Sequence, residues 1–177
     1  KEIKNTSGNI IWSLDSKSFF YFPLDKYHRS KKIYKHILGT SSKKDQVIFE
    51  EKNDSFSVGM SLTADEKFFV ISTSDSNTTE EYFFPSKERK IKPKLFKSRK
   101  KGIKYSIDSW KNYWYVRTNK DALDYQILRC KHNNIKKLDI FIPAKKETIV
   151  GGFDFLDKYI LRAEKSDAIP KILIRNI

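Results

Sequence analysis

The sequence contains little of what several classes of protein depend on. Its 177 residues include one cysteine, Cys130, so no internal disulfide can form, which is typical of a reducing compartment. No apolar run approaches the roughly 18 residues that a membrane-spanning helix needs. The first residues also show no apolar signal-peptide core. We therefore expect a cytoplasmic protein with no membrane partner.

Motifs of catalytic and metal sites are missing as well. None of the six glycines frames a serine as Gly-x-Ser-x-Gly, the turn that presents the nucleophile of an α/β-hydrolase, and phosphate loops are absent. The histidines, His28, His36 and His132, are predicted to be surface or edge residues. Cys130 and His132 could offer two metal ligands, but no second pair lies at a useful spacing. We expect no catalytic residue, no metal and no cofactor in this chain.

Aromatic and β-branched residues, by contrast, are abundant and recur in a pattern. Doublets of such residues return at nearly constant spacing, at Phe19-Phe20, Phe68-Phe69, Tyr113-Trp114 and Tyr159-Ile160. The offsets are about 49, 45 and 46 residues, which is within the range of propeller-type repeats. A unit of this length with four short apolar runs is typical of a four-stranded antiparallel blade.

The repeat predicts an all-β fold, a partial β-propeller of about four four-stranded antiparallel blades. Turn-forming residues such as Asp15 and Asn112 separate the first run of a unit from the second. The predicted blades cover approximately residues 9–51, 55–98, 102–143 and 147–177. Residues 1–6 are predicted to be the outer strand of a preceding blade, and the fourth unit has no run that matches Phe141. Both ends of the propeller therefore look cut.

Positive charge is the second prominent feature, with a formal net charge of +14. The stretch from Lys87 to Lys104 holds ten Lys or Arg residues against the single acid Glu88. One interpretation is a nucleic-acid-binding stripe in which Phe96 and Tyr105 stack on bases. The other is an outer strand whose lysines protect a solvated edge. We favour the edge strand, because no recognised RNA-binding motif accompanies the charge.

Three stretches carry a resemblance to a known family: Trp12 to Tyr21, Lys32 to Thr40 with its Tyr-x-His-x-Leu-Gly-Thr string, and Ile48 to Asp54. They are similar to the propeller of the prolyl oligopeptidase family of serine peptidases, and more so to its trypsin-like oligopeptidase B (protease II) branch. The similarity continues in order at residues 104–108, 117–119, 138–143 and 152–154.

The resemblance implies a seven-bladed propeller that covers a separate α/β-hydrolase domain and filters substrates by size. That branch of the family cleaves short peptides after Lys or Arg. The catalytic serine, aspartate and histidine of the hydrolase domain lie C-terminal to this segment, so we expect the chain to be inactive alone. Its partners would be the hydrolase domain and short peptides. Two alternatives stay open, a stand-alone propeller that binds proteins and a basic nucleic-acid-binding module.

Meander geometry sharpens the resemblance. In an antiparallel blade the connections after strands 2 and 4 lie at one end. By the resemblance to the family, this end corresponds to the face that is turned toward the hydrolase domain and the substrate. Ser57, Asn77 and Thr78 are therefore candidates for lining the substrate passage. The cations of residues 97–104, Arg99 among them, would lie near this face and repel a basic peptide.

An arc of four blades leaves two terminal blade faces uncovered. We expect these faces to be rich in apolar residues such as Phe19, Phe69 and Ile160. Apolar surface favours burial by about 25 cal/mol per Å². The sequence thus predicts a homodimer in which two arcs meet through their terminal blades.

Overall fold

The computed structural model describes residues 3–88 and 90–177, and its regular structure is almost entirely β-strand. The strands in these ranges are β1 (Thr6–Trp12), β2 (Ser18–Pro23), β3 (Lys32–Ile37), β4 (Gln46–Glu50), β5 (Ser57–Leu62), β6 (Phe68–Ser74), β7 (Thr79–Pro85), β8 (Lys94–Lys97), β9 (Tyr105–Trp110), β10 (Tyr113–Thr118), β11 (Gln126–Lys131), β12 (Asp139–Ile142), β13 (Thr148–Leu156), β14 (Tyr159–Ser166) and β15 (Ile169–Asn176). A single 3₁₀ turn, Ser42–Lys44, is the helical element of the described ranges, which contain no helix able to cross a membrane.

The strands form four antiparallel sheets in chain order, β1-β2-β3-β4, β5-β6-β7-β8, β9-β10-β11-β12 and β13-β14-β15. We call these sheets blades 1 to 4. The predicted all-β fold of about four antiparallel blades is confirmed, with three strands in the last one. The predicted outer strand at residues 1–6 includes Lys1 and Glu2, which lie outside the described residues, so it stays a prediction. Thr6 belongs to β1 and pairs with Pro23 of β2.

Neighbouring blades pack face to face through apolar cores that we call seams. Seam 1–2 is centred on Phe20, Ile33, Phe69, Ile71 and Phe84. Seam 2–3 is centred on Val70, Ile107, Trp114, Val116 and Cys130. Seam 3–4 is centred on Tyr115, Ile127, Ile142, Val150 and Ile160. Because the inner blades are buried on both faces, their second strands read as continuous apolar runs.

The second strand of each blade explains why the doublets recur. Adjacent residues of a strand point to opposite faces of the sheet. Trp114 therefore packs on blade 2, while its neighbour Tyr115 packs on blade 4. In the two inner blades, each doublet supplies one residue to the seam before its blade and one to the seam after it: Phe69 and Phe68 in blade 2, Trp114 and Tyr113 in blade 3.

The structure corrects the register of the first repeat. Equivalent backbone hydrogen bonds close the hairpins, from Ser13 N to the Ser18 carbonyl and from Thr63 N to the Phe68 carbonyl, both 2.9 Å long. Phe19 is therefore equivalent to Phe69, an offset of 50 rather than about 49 residues. The difference matters because a slip of one residue exchanges the two faces of a strand.

The expected composition of the terminal faces is partly wrong. Phe69 and Ile160 are 1% and 0% exposed, since each faces a preceding blade and lies inside a seam. Phe19 has no described blade before it and stays half-buried beside Trp12, with their rings 5.5 Å apart. On blade 4 the large exposed apolar side chains include Ile172 and Ile174. The homodimer stays a prediction.

The structure also excludes the stacking interpretation of the basic stretch and corrects the expectation for one histidine. Phe96 and Tyr105 are buried in seam 2–3, so neither ring is free to stack on a base. Phe96 belongs to β8, which is the last strand of its sheet, as the edge-strand interpretation requires. His36 is buried rather than exposed, and its Nδ1 lies 2.8 Å from Asp45 Oδ1. His132 is half-buried, whereas His28 is exposed.

Candidate functional site

One end of the four sheets carries the connections that follow the second and fourth strands of each blade. We call this end the crossover face; its loops span residues 24–31, 51–56, 75–78, 98–104, 119–125, 143–147 and 167–168. Ser57 begins β5 on this face and pairs with Ser74, the last residue of β6. Asn77 and Thr78 lie in the loop that follows. The structure therefore brings the three candidate passage residues together at one end of blade 2.

The turn at residues 75–78 gives these candidates different exposures. Asp75 Oδ1 accepts hydrogen bonds from the backbone N–H groups of Asn77 and Thr78, at 2.8 and 2.7 Å. The Thr78 hydroxyl donates to Asn77 Oδ1 at 2.8 Å and accepts from Gly102 N–H at 3.2 Å. Thr78 is buried and Ser57 half-buried, whereas Asn77 is exposed. Asn77 is the candidate whose side chain is open to a peptide, and the passage role of all three stays a prediction.

An ion cluster joins three segments of the crossover face. Arg99, in the loop between β8 and β9, donates from Nη2 to Glu51 Oε2 at 2.6 Å and to Glu80 Oε2 at 2.8 Å. Arg99 Nε and its backbone N–H also donate to the Glu80 carboxylate, at 3.0 and 2.9 Å. The guanidinium lies over the ring of Phe56, 4.1 Å from its centroid. We call these residues, with Tyr82, the Arg99 cluster.

The charges of the Arg99 cluster are fixed by these contacts. Burial opposes ionisation of Glu80, but hydrogen bonds from Arg99 and Tyr82 outweigh it and lower the Glu80 pKa. Burial and the hydrogen bond to Glu80 raise the pKa of Tyr82 to about 12. Burial disfavours the charged form of Arg99, yet the two carboxylates raise the pKa of the guanidinium. The expectation that Arg99 repels a basic peptide is therefore wrong, because two carboxylates already neutralise it.

A buried lysine supports the same face. The ammonium of Lys31 donates to the backbone carbonyls of Asn53 and Phe56, the latter at 2.9 Å. The backbone N–H of Glu51 donates to the Lys31 carbonyl at 2.9 Å. The loop from blade 1 to blade 2 is thus tied to the loop between β2 and β3.

Sequence reasoning missed a buried carboxylate on the neighbouring seam. Glu81 is 3% exposed and accepts hydrogen bonds from Ser72 Oγ at 3.0 Å and from Ile107 N–H at 2.9 Å. Burial, with a smaller contribution from Asp108, raises the pKa of Glu81 to about 8. The adjacent acids Glu80 and Glu81 in an otherwise apolar strand were the available signal, since one of the two must face each seam.

A serine, a histidine and an aspartate meet at the opposite end of the sheets. Ser109 Oγ donates to Asp65 Oδ2 at 2.9 Å and lies 2.9 Å from His132 Nε2. In a serine hydrolase the histidine stands between the serine and the carboxylate. Here the serine stands between the other two and is 0% exposed. This group fastens blade 2 to blade 3 and presents no nucleophile.

Metal chemistry has no evident centre in the part of the chain that the structure describes. Residues 3–88 and 90–177 contain no group of three or more His, Cys, Asp or Glu side chains placed to hold an ion. The single thiol, Cys130, is buried in seam 2–3, and burial raises its pKa to about 11.

Comparisons with known proteins place this architecture. The sequence profile described as "Prolyl oligopeptidase, N-terminal beta-propeller domain" matches residues 1–177. Dipeptidyl aminopeptidase BI of Pseudoxanthomonas mexicana is 27% identical over 176 residues, 97% of this chain and 24% of that protein. Protease 2 of Moraxella lacunata is 26% identical over 160 residues, 90% of this chain and 23% of that protein. The chain spans about a quarter of the length of these relatives.

Solved structures of similar fold include two oligopeptidases B. That of Trypanosoma brucei, in a closed form with covalently bound antipain, gives a TM-score of 0.94 at 20% identity, over 100% of this chain and 26% of that one. That of Leishmania major gives 0.92 at 20% identity, over 97% and 24%. The four sheets therefore match part of an oligopeptidase propeller.

Proposed function

Because this chain belongs to the prolyl oligopeptidase family, as part of its N-terminal β-propeller domain, we propose that it gates the access of short peptides to the α/β-hydrolase domain of a serine oligopeptidase. The substrates would be peptides cleaved after Lys or Arg, and the chain would not be catalytic by itself. The likeness to protease 2 supports the choice of this branch.

The Arg99 cluster is the observation that carries the proposal. A face that filters peptides must keep its loops in place while substrates pass. Arg99 holds Glu51 and Glu80 within hydrogen-bond distance, and so ties the loop between blades 1 and 2 to blade 2 and to the loop that leaves it. The cluster sets two carboxylates against one guanidinium, so Arg99 adds no net positive charge to the face that a basic peptide would pass.

Labelling of introduced cysteines tests whether peptides pass the crossover face. Asn77→Cys places a thiol in the exposed turn, and Lys158→Cys places a matched control at the opposite end, between β13 and β14. Cys130 should react slowly, because it is buried and its pKa is raised. In the protein that joins this chain to its hydrolase domain, an Arg-containing peptide should slow maleimide labelling of Asn77→Cys alone. Equal protection at both positions would refute passage at this face.

A separate assay tests the non-catalytic part of the proposal. The 177-residue chain should give no turnover of a fluorogenic peptide ending in Arg, whereas the protein with its hydrolase domain should cleave it. Turnover by the chain alone, retained after affinity purification and gel filtration, would contradict this part.

A further inference from the structure

A small cleft lies between blades 2 and 3 and opens at the crossover face, because Lys100 and Ile103 of the loop 98–104 and Lys120 of the loop 119–125 line it. Its volume is about 180 Å³. Five side chains form its apolar walls, one each from the loop before β9, from β9, β10 and β11, and from the segment before β12. In that order they are Ile103, Tyr105, Val116, Leu128 and Leu138. A cavity of about 150 Å³ already holds a benzene-sized group. The cleft therefore has room for one apolar side chain.

Polar groups in the wall of the cleft are occupied within the fold. The hydroxyl of Thr118 donates to the Lys104 carbonyl at 2.9 Å. The hydroxyl of Tyr105 donates to the Lys97 carbonyl and accepts from the backbone N–H of Glu81 at 2.9 Å. The interior consequently selects for apolar atoms.

Lysines surround the mouth of the cleft. Lys97, Lys100 and Lys120 line it, and all three are exposed. Lys120 pairs with Asp121 at 3.4 Å, while Lys97 and Lys100 make no ion pair within residues 3–88 and 90–177. Their excess positive charge complements an anion at the mouth.

We propose that this cleft binds an apolar group that lies next to a carboxylate, as in a C-terminal leucine or phenylalanine with its side chain and its terminal carboxylate. The apolar group fills the space between the blades, and the carboxylate lies between Lys97 and Lys100. This gives the basic stretch a ligand at the crossover face that differs from a peptide cleaved after Lys or Arg. A nucleic acid fits less well, because the aromatic rings of Phe96 and Tyr105 are buried.

Methyl NMR of the full chain provides the test, with N-acetyl-leucine and its amide as a matched pair of probes. A ligand of about twelve heavy atoms should bind in the millimolar range. The acid should shift the methyl signals of Ile103, Val116, Leu128 and Leu138, and the exposed methyls of Ile172 serve as the internal control. We expect the amide to bind at least about fivefold more weakly, since it lacks the charge. Equal binding of acid and amide, or equal shifts at Ile172, would overturn the proposal.

Substitutions at the mouth test the lysines themselves. The double variant Lys97→Gln with Lys100→Gln should weaken the acid by roughly fivefold and leave the amide unchanged. Lys158→Gln, an exposed lysine on blade 4, should change neither. A double variant that binds the acid normally would refute the role of the two lysines.

Two further probes identify the source of the ligand. The peptide Gly-Gly-Leu should compete with N-acetyl-leucine and bind more tightly if the site reads peptide C-termini, whereas weaker binding would point to small carboxylates. An oligothymidylate that displaces the probe and binds more tightly than either would assign the stretch to nucleic acid and overturn the proposal.

Discussion

Glu80 and Glu81 are neighbours in β7, yet their pKa values are shifted in opposite directions. Glu80 faces the Arg99 cluster at the edge of seam 1–2, where the guanidinium lowers its pKa. Glu81 faces seam 2–3, where it meets a hydroxyl and a backbone N–H but no cation of residues 3–88 and 90–177, and burial raises its pKa to about 8. The alternation of a strand thus places two identical side chains in two electrostatic environments. The seams differ in how they hold charge rather than in how they pack.

The largest expected effect on stability comes from a phenylalanine that is covered by the preceding blade in seam 1–2. Phe69→Ala should destabilise the fold by about 3–5 kcal/mol, because it removes a fully buried ring. Phe19→Ala, at the equivalent position of blade 1 where no described blade precedes it, should cost about 1 kcal/mol in this chain. Urea unfolding followed by tryptophan fluorescence measures both. Equal losses would show that the register derived from the hairpins is wrong.

Removing the cation of the Arg99 cluster is the next test. Arg99→Met should destabilise by about 3 kcal/mol, since it leaves the buried carboxylates of Glu51 and Glu80 without their partner. Lys101→Met, an exposed lysine in the same loop, should stay within about 0.5 kcal/mol of the unmodified chain. If both variants unfold at the same urea concentration, the cluster does not hold the crossover face.

Glu81 should make stability depend on pH in the direction opposite to Glu80. Its pKa of about 8 lies above the ordinary value of 4.5, so the folded protein keeps a proton that the unfolded chain has lost. This contribution is complete below pH 4.5 and is lost as the pH rises through about 8. The free energy of unfolding of the unmodified chain should fall by about 2 kcal/mol between pH 6 and pH 8, and Glu81→Gln should abolish this fall.

The measurement is urea unfolding at several pH values, with Glu80→Gln as the matched control. The Glu80 pKa is lowered, so its contribution is present above the ordinary value of 4.5 and is lost at more acidic pH. Glu80→Gln should therefore flatten the acid side of the profile and leave the alkaline side unchanged. If the free energy of unfolding has the same dependence on pH above pH 6 in the unmodified chain and in Glu81→Gln, Glu81 does not hold a buried proton.

The smallest expected effect concerns the phenol that supports Glu80. Tyr82→Phe removes the hydrogen bond from the Tyr82 hydroxyl to Glu80 Oε2, 2.9 Å long, and should cost about 1 kcal/mol. The loss should shrink in the background of Arg99→Met if the two donors act on one carboxylate. Strict additivity in this double-mutant cycle would argue against a shared cluster.

Much of the fold and less of the site was predictable from the sequence. The spacing of the doublets predicted the blades, and the resemblance to oligopeptidase B and protease II is confirmed at the level of the family and its propeller. The first offset was one residue short, because the hairpin at Ser16 and the hairpin at Glu66 close at positions that apolar patterns do not reveal. Arg99 was predicted to be a repelling cation, since its partners lie 48 and 19 residues away.

The order of apolar and turn-forming residues along the chain by itself determined the strands, their number and their antiparallel order, because strand alternation and hairpin closure are local. Only the tertiary structure decided which member of each doublet is covered, which of two adjacent glutamates keeps its proton, and which lysines of the basic stretch stand beside an apolar cleft. Those outcomes depend on burial and on charges brought together from different blades. Residues that are far apart in the sequence become neighbours there, and the sequence alone does not show which ones.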